Sequence, residues 1–356
     1  MRPTLSIDEL GVSFAQRDAR IPAVRQVSLA VAPGECVGIV GESGSGKTQV
    51  FMAAMGLLAA NATAEGSVRF EDVDILGMPS AQLNRIRGSK LTMIFQDPMT
   101  SLTPHLKIGK QLAEVLVCHA GKSWSEARSA ARRMLERVRV PEAQRRLNQY
   151  PHELSGGLRQ RVMIGMSLLC EPSLVIADEP TTALDVTVQA QIIDLLLAMR
   201  AEVGMALVLI SHDLAVVAGL ADRILVMYAG RIVESAGVVE LFRHARHPYT
   251  VELLKCIPSL SGPRLERLPT LSGQPPQPGE SAAGCSFAPR CPRAAERCRV
   301  ERPRLETPGD AYGGGNANGN GGANGRDSAN GRDGANGKGS ADGSSDTHRV
   351  ACHFPQ

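Results

Sequence analysis

Eight consecutive residues constrain this chain more than any other stretch, because they match the pattern G-x-x-x-x-G-K-[ST] of loops that hold phosphate groups. They are Gly41, Glu42, Ser43, Gly44, Ser45, Gly46, Lys47 and Thr48. The apolar run at residues 36–40 predicts a buried strand, and residues 49–60, rich in Ala, Leu and Met, predict a helix. A Gly/Ser-rich turn that matched by chance would not carry both flanking elements. The stretch therefore predicts a nucleotide site.

The residue types in this loop suit the binding of a nucleotide's phosphates. Glycines let successive backbone N–H groups turn toward one point, and the positive end of the following helix dipole attracts phosphate. Lys47 is expected to neutralise the β- and γ-phosphates, and the Thr48 hydroxyl to ligate Mg²⁺.

Composition and charge narrow the class of protein. With 356 residues the chain has room for one large domain or two ordinary ones, and its net charge of +3 is too small to indicate a nucleic-acid surface. We find no apolar run of membrane-spanning length and no signal-peptide hydrophobic region, so we expect a soluble chain or one held at a membrane by a partner. Eight cysteines in such a chain are expected to be free thiols or metal ligands and not disulfides.

The order of predicted elements indicates an α/β fold. Residues 1–35 alternate apolar and polar side chains as antiparallel strands do, and residues 66–76 predict a further strand pair. Helical apolar spacing at 108–140 indicates a helical subdomain at about 97–165. Strands, helices and a hairpin are predicted at 91–95, 154–170, 174–177, 186–203, 207–210 and 223–233. We therefore expect a mostly parallel sheet covered on both faces, with an antiparallel β layer.

Four polar side chains follow predicted buried strands. Asp178 and Glu179 end one strand; Asp178 is expected to hold Mg²⁺, directly or through water, and Glu179 to orient the attacking water. His212 ends another strand and is expected to reach the γ-phosphate. Gln96 ends a third, where its amide is expected to bind Mg²⁺ or the attacking water. A solvated turn also carries carboxylates, but the phosphate loop in the same chain favours the functional interpretation.

A second glycine-rich helix start is formed by Ser155, Gly156 and Gly157. It predicts a second anion site with no lysine of its own. One nucleotide does not need two separate cradles in one subunit. Two subunits facing head to tail would each supply one cradle to a shared nucleotide.

With all of these motifs in order, residues 1–260 resemble the ATP-binding subunits of ABC transporters. The matching segments are the signature motif at 155–157, the Q-loop at Gln96, the Walker B pair at 178–179, the D-loop at 183–185 and the switch histidine at His212. The resemblance implies an α/β phosphate-loop ABC ATPase domain that binds ATP and Mg²⁺ and hydrolyses ATP. Phe14 is then a candidate for stacking on adenine, although a core position in the β layer suits it at least as well.

Three stretches, at 96–104, 181–191 and 247–250, are similar to the importer branch for dipeptides, oligopeptides and nickel. Thr103 and Leu158 stand where that branch often has Asn and Met, and neither change removes a phosphate ligand. The resemblance implies the motor of a peptide importer, peripheral at the cytoplasmic face of the cell membrane. Its implied partners are two transmembrane permease subunits, a second ATP-binding subunit (a paralogue or a second copy) and an extracytoplasmic substrate-binding protein, with no nucleic acid.

The cysteines near the end form a separate group: Cys285, Cys291, Cys298 and Cys352. They resemble the C-terminal motif of the same branch, in which some members bind an iron–sulfur cluster. Four thiolates suit a [4Fe–4S] cluster or, as an alternative, structural Zn²⁺, and unmetallated thiols are the third reading. The spacings are not those of a zinc ribbon's paired C-x-x-C.

Changes in composition predict the domain limits. We expect an ABC nucleotide-binding domain at 1–260, an extension with three of these cysteines at 261–312, a disordered Gly/Asn-rich linker at 313–347 and a tail with Cys352 at 348–356.

Other functions share some of these motifs. An importer for nickel or another small solute would look alike at this level. A non-transport ABC ATPase of DNA repair or translation would share the ATP site, but usually carries a long coiled coil or two cassettes. A phosphate-loop kinase would lack the cradle at 155–157. The extension could also act mainly as a redox sensor that gates the ATPase.

Overall fold

Two β-sheets form the framework of the computed structural model, which describes residues 2–16, 19–97, 101–182, 184–257, 271–277, 283–307 and 348–356. An antiparallel sheet has the strand order β2-β1-β4-β5, and a larger sheet has the order β11-β10-β9-β3-β8-β7-β6. The strands are β1 (Leu5–Gln16), β2 (Ala19–Val31), β3 (Cys36–Val40), β4 (Ala62–Phe70), β5 (Val73–Asp74), β6 (Leu91–Ile94), β7 (Leu174–Asp178), β8 (Ala206–Ser211), β9 (Arg223–Tyr228), β10 (Arg231–Gly237) and β11 (Arg349–Val350).

The centre of the larger sheet is parallel and buried on both faces. β9, β3, β8, β7 and β6 run parallel to one another, and every residue of β3, β7 and β8 is buried. Along β3, Cys36 and Val40 pack into one apolar cluster, and Val37 and Ile39 pack into the other. This alternation follows from the two-residue period of a strand. The predicted mostly parallel sheet with an antiparallel β layer is confirmed.

Helices cover both faces of this sheet. They are α1 (Lys47–Ala54), α2 (Ser80–Leu83), α3 (Ile108–Ala120), α4 (Trp124–Arg137), α5 (Ala143–Arg146), α6 (Gly156–Leu168), α7 (Val186–Val203), α8 (Leu214–Ala218), α9 (Val238–Arg243), α10 (Pro248–Lys255) and α11 (Glu296–Val300), with 3₁₀ turns at Pro151–Glu153 and Ala288–Arg290. At the start of α4, Ser123 and Glu126 form the reciprocal capping box that their spacing predicts. In the parts of the chain that the structure describes, no helix is both long enough and apolar enough to cross a bilayer.

The helix after the phosphate loop is shorter than predicted. The pattern predicted residues 49–60, but α1 ends at Ala54. Gly56 adopts a left-handed φ of 60°, and a side chain there would approach the Leu83 side chain to 2.6 Å. The chain therefore turns away at Gly56, although the residues beyond it favour a helix by composition.

The last residues of the chain dock on the edge of the larger sheet. β11 pairs antiparallel with β10, and the Ala351 N–H donates to the Val233 carbonyl at 2.8 Å. Beside this edge, His348 Nε2 lies 2.7 Å from the fully buried Glu234 carboxylate. The predicted domain limits stay a prediction, and the predicted linker at 313–347 lies outside the described residues.

His247 is a buried histidine that we expect to make stability depend on pH. Its Nδ1 accepts the Tyr249 N–H at 3.1 Å at the start of α10, and the ring also bonds the backbone of Ala351. Burial lowers its pKa to about 3. The unfolded chain takes up a proton near pH 6.5, whereas the folded chain does so only near pH 3. Folding stability should therefore fall as the pH drops through this window, by about 1.4 kcal/mol per pH unit.

The test compares wild type with His247→Asn, which keeps a cap acceptor but does not titrate. Urea unfolding at pH 7 and pH 5 should show wild type losing about 2 kcal/mol more than the variant. Equal losses would contradict a neutral, buried His247.

Candidate nucleotide site and cysteine cavity

The phosphate loop joins β3 to α1 in the strand–loop–helix arrangement that the motif predicts. Gly41 and Gly46 have φ values of 154° and 93°. A Cβ atom would lie 2.2 Å from the Met227 carbonyl oxygen at Gly41 and 2.4 Å from the Ala23 carbonyl oxygen at Gly46. Glycine is therefore required at both positions by backbone conformation and by space.

Lys47 and Thr48 begin α1 and face the loop and β7. The buried Lys47 Nζ donates to the carbonyl oxygens of Gly41 at 2.7 Å and Glu42 at 3.0 Å. Burial lowers its pKa, although nearby carboxylates oppose this shift. The Thr48 hydroxyl donates to Asp178 Oδ1 at 3.1 Å. A cationic group and a hydroxyl–carboxylate pair thus lie together, as a phosphate-bound Mg²⁺ requires.

The carboxylate of Glu179 is the meeting point of three strand ends. Gln96 Nε2 donates to its Oε2 at 3.0 Å, and His212 Nδ1 lies 3.0 Å from its Oε1. These contacts arise because β6, β7 and β8 are parallel neighbours whose carboxyl ends share one edge. The Thr182 hydroxyl also donates to Oε2, at 2.9 Å.

The pKa values of the neighbouring acids Asp178 and Glu179 are shifted in opposite directions. Burial raises the pKa of Asp178 more than the Thr48 hydrogen bond lowers it. Burial also acts to raise the pKa of Glu179, but the hydrogen bonds from His212 and Thr182, with the charges of His212 and Lys47, outweigh it, so the pKa is lowered. Glu179 is therefore ionised at neutral pH and able to accept a proton. Its backbone φ of 46° is strained for a residue with a side chain, a feature that clusters at active sites.

The second predicted cradle is the exposed start of α6. Ser155 caps α6 without a side-chain cap hydrogen bond, and Ser155 and Gly156 are exposed. A Cβ atom at Gly156 would have the Leu184 side chain as its nearest neighbour, at 3.8 Å. Ala183 of the predicted D-loop lies outside the described residues.

A cleft of about 950 Å³ opens beside the phosphate loop. Phe14, Ser43, Gly44 and Ser45 line it, as does a proline-containing segment of the C-terminal extension, residues 274–277. Phe14 is partly buried and also packs against the apolar cluster of the β layer. The structure thus shows Phe14 packed against the core, and its stacking on adenine stays a prediction. The cleft is within the size range of sites for small ligands.

Four cysteines line one small cavity: Cys285, Cys291, Cys298 and Cys352. Cys352 lies far from the other three in the sequence. Burial raises the pKa of Cys352 to about 11, and the nearby thiols of the other three act in the same direction. Within the described ranges, no group of three or more His, Cys, Asp or Glu side chains is arranged to hold a metal ion. The thiols are therefore close neighbours without being clustered around a point.

Comparison with known proteins identifies the family. Residues 24–182 match the ABC transporter family, and residues 233–298 match the C-terminal region of oligopeptide/dipeptide transporters. The chain is 50% identical over 307 residues to the oligopeptide transport ATP-binding protein OppD of Haemophilus influenzae, covering 86% of this chain and 94% of the relative. It is 49% identical to OppD of Escherichia coli over 306 residues, covering 86% and 90%. The chain belongs to the ABC transporter ATP-binding proteins.

Solved cassettes agree with this assignment. A dimeric post-hydrolysis structure of the ATP-binding cassette MJ0796 with ADP and Pi superimposes with a TM-score of 0.60 at 29% identity, covering 66% of this chain and 98% of that one. The cassette cbiO1 of Clostridium perfringens gives 0.58 at 25% identity, covering 68% and 92%. The predicted resemblance and fold class are confirmed, and the chain is an ATP-binding cassette of the ATPase type.

Sequence motifs alone missed part of this cassette. Arg290 and Tyr249 contact Glu42 of the phosphate loop, and Tyr228 contacts Arg290, but none of the three is a predicted site residue. Arg290 binds Glu42, and the Tyr249 hydroxyl accepts the Glu42 N–H at 2.9 Å. Tyr249 lies in one of the branch-specific stretches, 247–250, and this was the only signal that could have found it.

Proposed function

We propose that this cassette is the ATP-hydrolysing motor subunit of a membrane importer for dipeptides or oligopeptides. The observation that carries the proposal is 50% identity to a relative named an oligopeptide transport ATP-binding protein, over 94% of that relative. The same chain brings Gln96, Glu179 and His212 together at the strand ends. The matched C-terminal region of peptide transporters supports the same substrate class. In this proposal the cassette lies at the cytoplasmic face of the membrane.

The reaction is an in-line attack of water on the γ-phosphate. Lys47 and the N–H groups of residues 43–48 bind the phosphates and stabilise the charge that develops. Thr48, Asp178 and Gln96 would hold Mg²⁺, which would supply positive charge to neutralise the phosphates. Glu179 orients the water and accepts its proton, and His212, which lies beside that carboxylate, contacts the γ-phosphate. Phe14 offers its ring to the adenine at the edge of the cleft.

The second cradle implies a dimer of cassettes. In this proposal Ser155, Gly156 and Gly157 bind the nucleotide of a facing subunit, either a copy of this chain or a paralogue. The similar cassette MJ0796 was solved as a dimer with ADP and Pi. Closing and reopening of the dimer is passed through the region of Gln96 to two permease subunits, and a binding protein outside the membrane delivers the cargo.

Reconstitution tests the transport proposal. The cassette is assembled in liposomes with its permease subunits and binding protein, and ATP hydrolysis is measured with different cargoes. A peptide-loaded binding protein should stimulate hydrolysis and accumulate peptide inside the vesicles. Stimulation by Ni²⁺ or another solute, without any response to peptides, would reject peptide import.

We propose that the cysteine cavity holds a [4Fe–4S] cluster, with structural Zn²⁺ as the alternative. A Zn²⁺ ion would take four sulfurs at about 2.3 Å from one point. A cluster takes four cysteine thiolates around a larger core, and all four cysteines line one cavity. The ligands in this proposal are Cys285, Cys291, Cys298 and Cys352.

Metal analysis of anaerobically purified protein tests the cluster. We expect about four iron and four sulfide per chain. Cys298→Ser should lower both, whereas Cys118→Ser, at an exposed cysteine that does not line the cavity, should keep both. Zinc as the only bound metal would reject the cluster. Comparing ATP hydrolysis in air and without oxygen then separates a redox sensor from a structural group.

A further inference from the structure

Arg290 links the cysteine-bearing extension to the phosphate loop. Its guanidinium makes two parallel hydrogen bonds to the Glu42 carboxylate, Nη1 to Oε2 at 2.7 Å and Nη2 to Oε1 at 3.0 Å. The Arg290 side chain is 4% exposed and that of Glu42 is 25% exposed. Two-point pairs of this kind are strong and fix orientation as well as distance. The contact joins residues 248 positions apart in the sequence.

Glu42 is held from both sides. Arg290 binds its side chain, while its backbone N–H donates to the Tyr249 hydroxyl at 2.9 Å. Its carbonyl oxygen accepts from Lys47 Nζ at 3.0 Å and from the Ser45 N–H at 3.2 Å. A shift of Glu42 would therefore move the lysine that the phosphates need.

The surroundings of Arg290 leave its guanidinium little freedom. The group lies over the rings of Tyr228 and Phe287 at 5.8 and 5.9 Å from their centroids. Its Nε donates to the Ser272 carbonyl at 2.9 Å, and Gly273, with φ of 78°, packs against its side chain. The same segment continues into residues 274–277, which line the nucleotide cleft.

The other neighbour of Arg290 is the cysteine cavity. Arg290 ends the 3₁₀ turn Ala288–Arg290, and the next residue, Cys291, lines that cavity. A displacement of Cys291 would therefore reach Glu42 through one residue. Arg290 therefore lies between the cysteine cavity and the phosphate loop, which the sequence motifs give as separate features.

We propose that Arg290 is a positioning residue for the phosphate-binding loop, so that the C-terminal extension sets how tightly this cassette holds ATP. The inference rests on the proposed role of the loop in binding ATP. Arg290 also lines the cleft beside the loop, and in this proposal it acts through its contact with Glu42. The competing interpretation is that Arg290 only anchors the extension, in which case its loss would affect stability and leave ATP affinity unchanged.

The experiment measures the dissociation constant for Mg-ATP by calorimetry, and the urea midpoint, on the full chain. Arg290→Met and Glu42→Gln should each weaken ATP binding about tenfold, because the loop loses its fixed position. The double variant should bind no more weakly than either single variant, since both act through one contact. Arg297→Met is the matched control: Arg297 makes a two-point contact with Glu301 in the same extension, but that pair is exposed.

Several outcomes would overturn the proposal. Unchanged ATP affinity in Glu42→Gln, which keeps a side chain of the same shape, would do so even if Arg290→Met failed to fold. Additive losses in the double variant, or an equal loss in Arg297→Met, would also reject it. Wild-type protein that binds no ATP would instead overturn the proposed function, and so the two failures are distinguishable.

Discussion

Glu179→Gln is expected to reduce steady-state ATP hydrolysis at least about 100-fold, which is the scale of losing a positioned general base. The wild-type carboxylate is ionised and accepts hydrogen bonds from the Gln96 amide at 3.0 Å and the Thr182 hydroxyl at 2.9 Å. His212 Nδ1 lies 3.0 Å from its other oxygen. An amide at this position keeps the size of the side chain but cannot take the proton of the attacking water. Lys47, Thr48 and the loop are untouched, so the dissociation constant for Mg-ATP should stay within about twofold.

The matched control for this change is Glu171→Gln. Glu171 is an exposed carboxylate after α6, outside the strand-end cluster, and its replacement should leave hydrolysis unchanged. Phosphate release at saturating ATP gives the rate, and calorimetry gives the affinity. Turnover retained by Glu179→Gln would remove the assigned role of the base. Loss of ATP binding would mean that the variant had disturbed the loop instead.

The cluster of polar side chains at the strand ends could be predicted because it follows from local patterns. Apolar runs ending in Gln96, Asp178 and His212 read as buried strands, and parallel neighbours bring their carboxyl ends to one edge. The helix after the loop was predicted too long, because the pattern did not reveal that Gly56 would turn the chain against Leu83. Local patterns thus predict which helices and strands exist more reliably than they predict the residues at which these elements end.

Contacts between distant segments could not be predicted in the same way. The pairing of Arg290 with Glu42 depends on where the extension docks, and the turn at Ala288–Arg290 has no periodic pattern that points at the loop. β11 is two residues long and takes its place from the edge of β10, so its own sequence carries little signal. The four cysteines could be grouped by residue type, but only the docked tail brings Cys352 to the other three.

Gly156→Asp is expected to reduce steady-state hydrolysis at least about 100-fold while the isolated chain still binds Mg-ATP as tightly as wild type. Gly156 is exposed, and a Cβ atom there has its nearest neighbour at 3.8 Å, so the variant should fold. In a closed dimer, the γ-phosphate of the ATP bound to the facing subunit would meet the new carboxylate where wild type offers the N–H groups of a helix start. Repulsion between this carboxylate and the phosphate would disfavour both closure of the dimer and the transition state of hydrolysis.

The separation of hydrolysis from binding is what makes this variant informative. Hydrolysis is measured on the cassette assembled with its partner subunits, and ATP affinity on the chain alone. Ser125→Asp is the control, since it places a carboxylate at the exposed first turn of α4, where acids are favourable and no nucleotide is expected. In the Glu179→Gln background, ATP should drive dimer formation in sedimentation experiments, and adding Gly156→Asp should abolish it. Weakened ATP binding by the isolated Gly156→Asp chain would instead mean that residue 156 acts on the nucleotide of its own subunit, and this would contradict a nucleotide shared between two subunits.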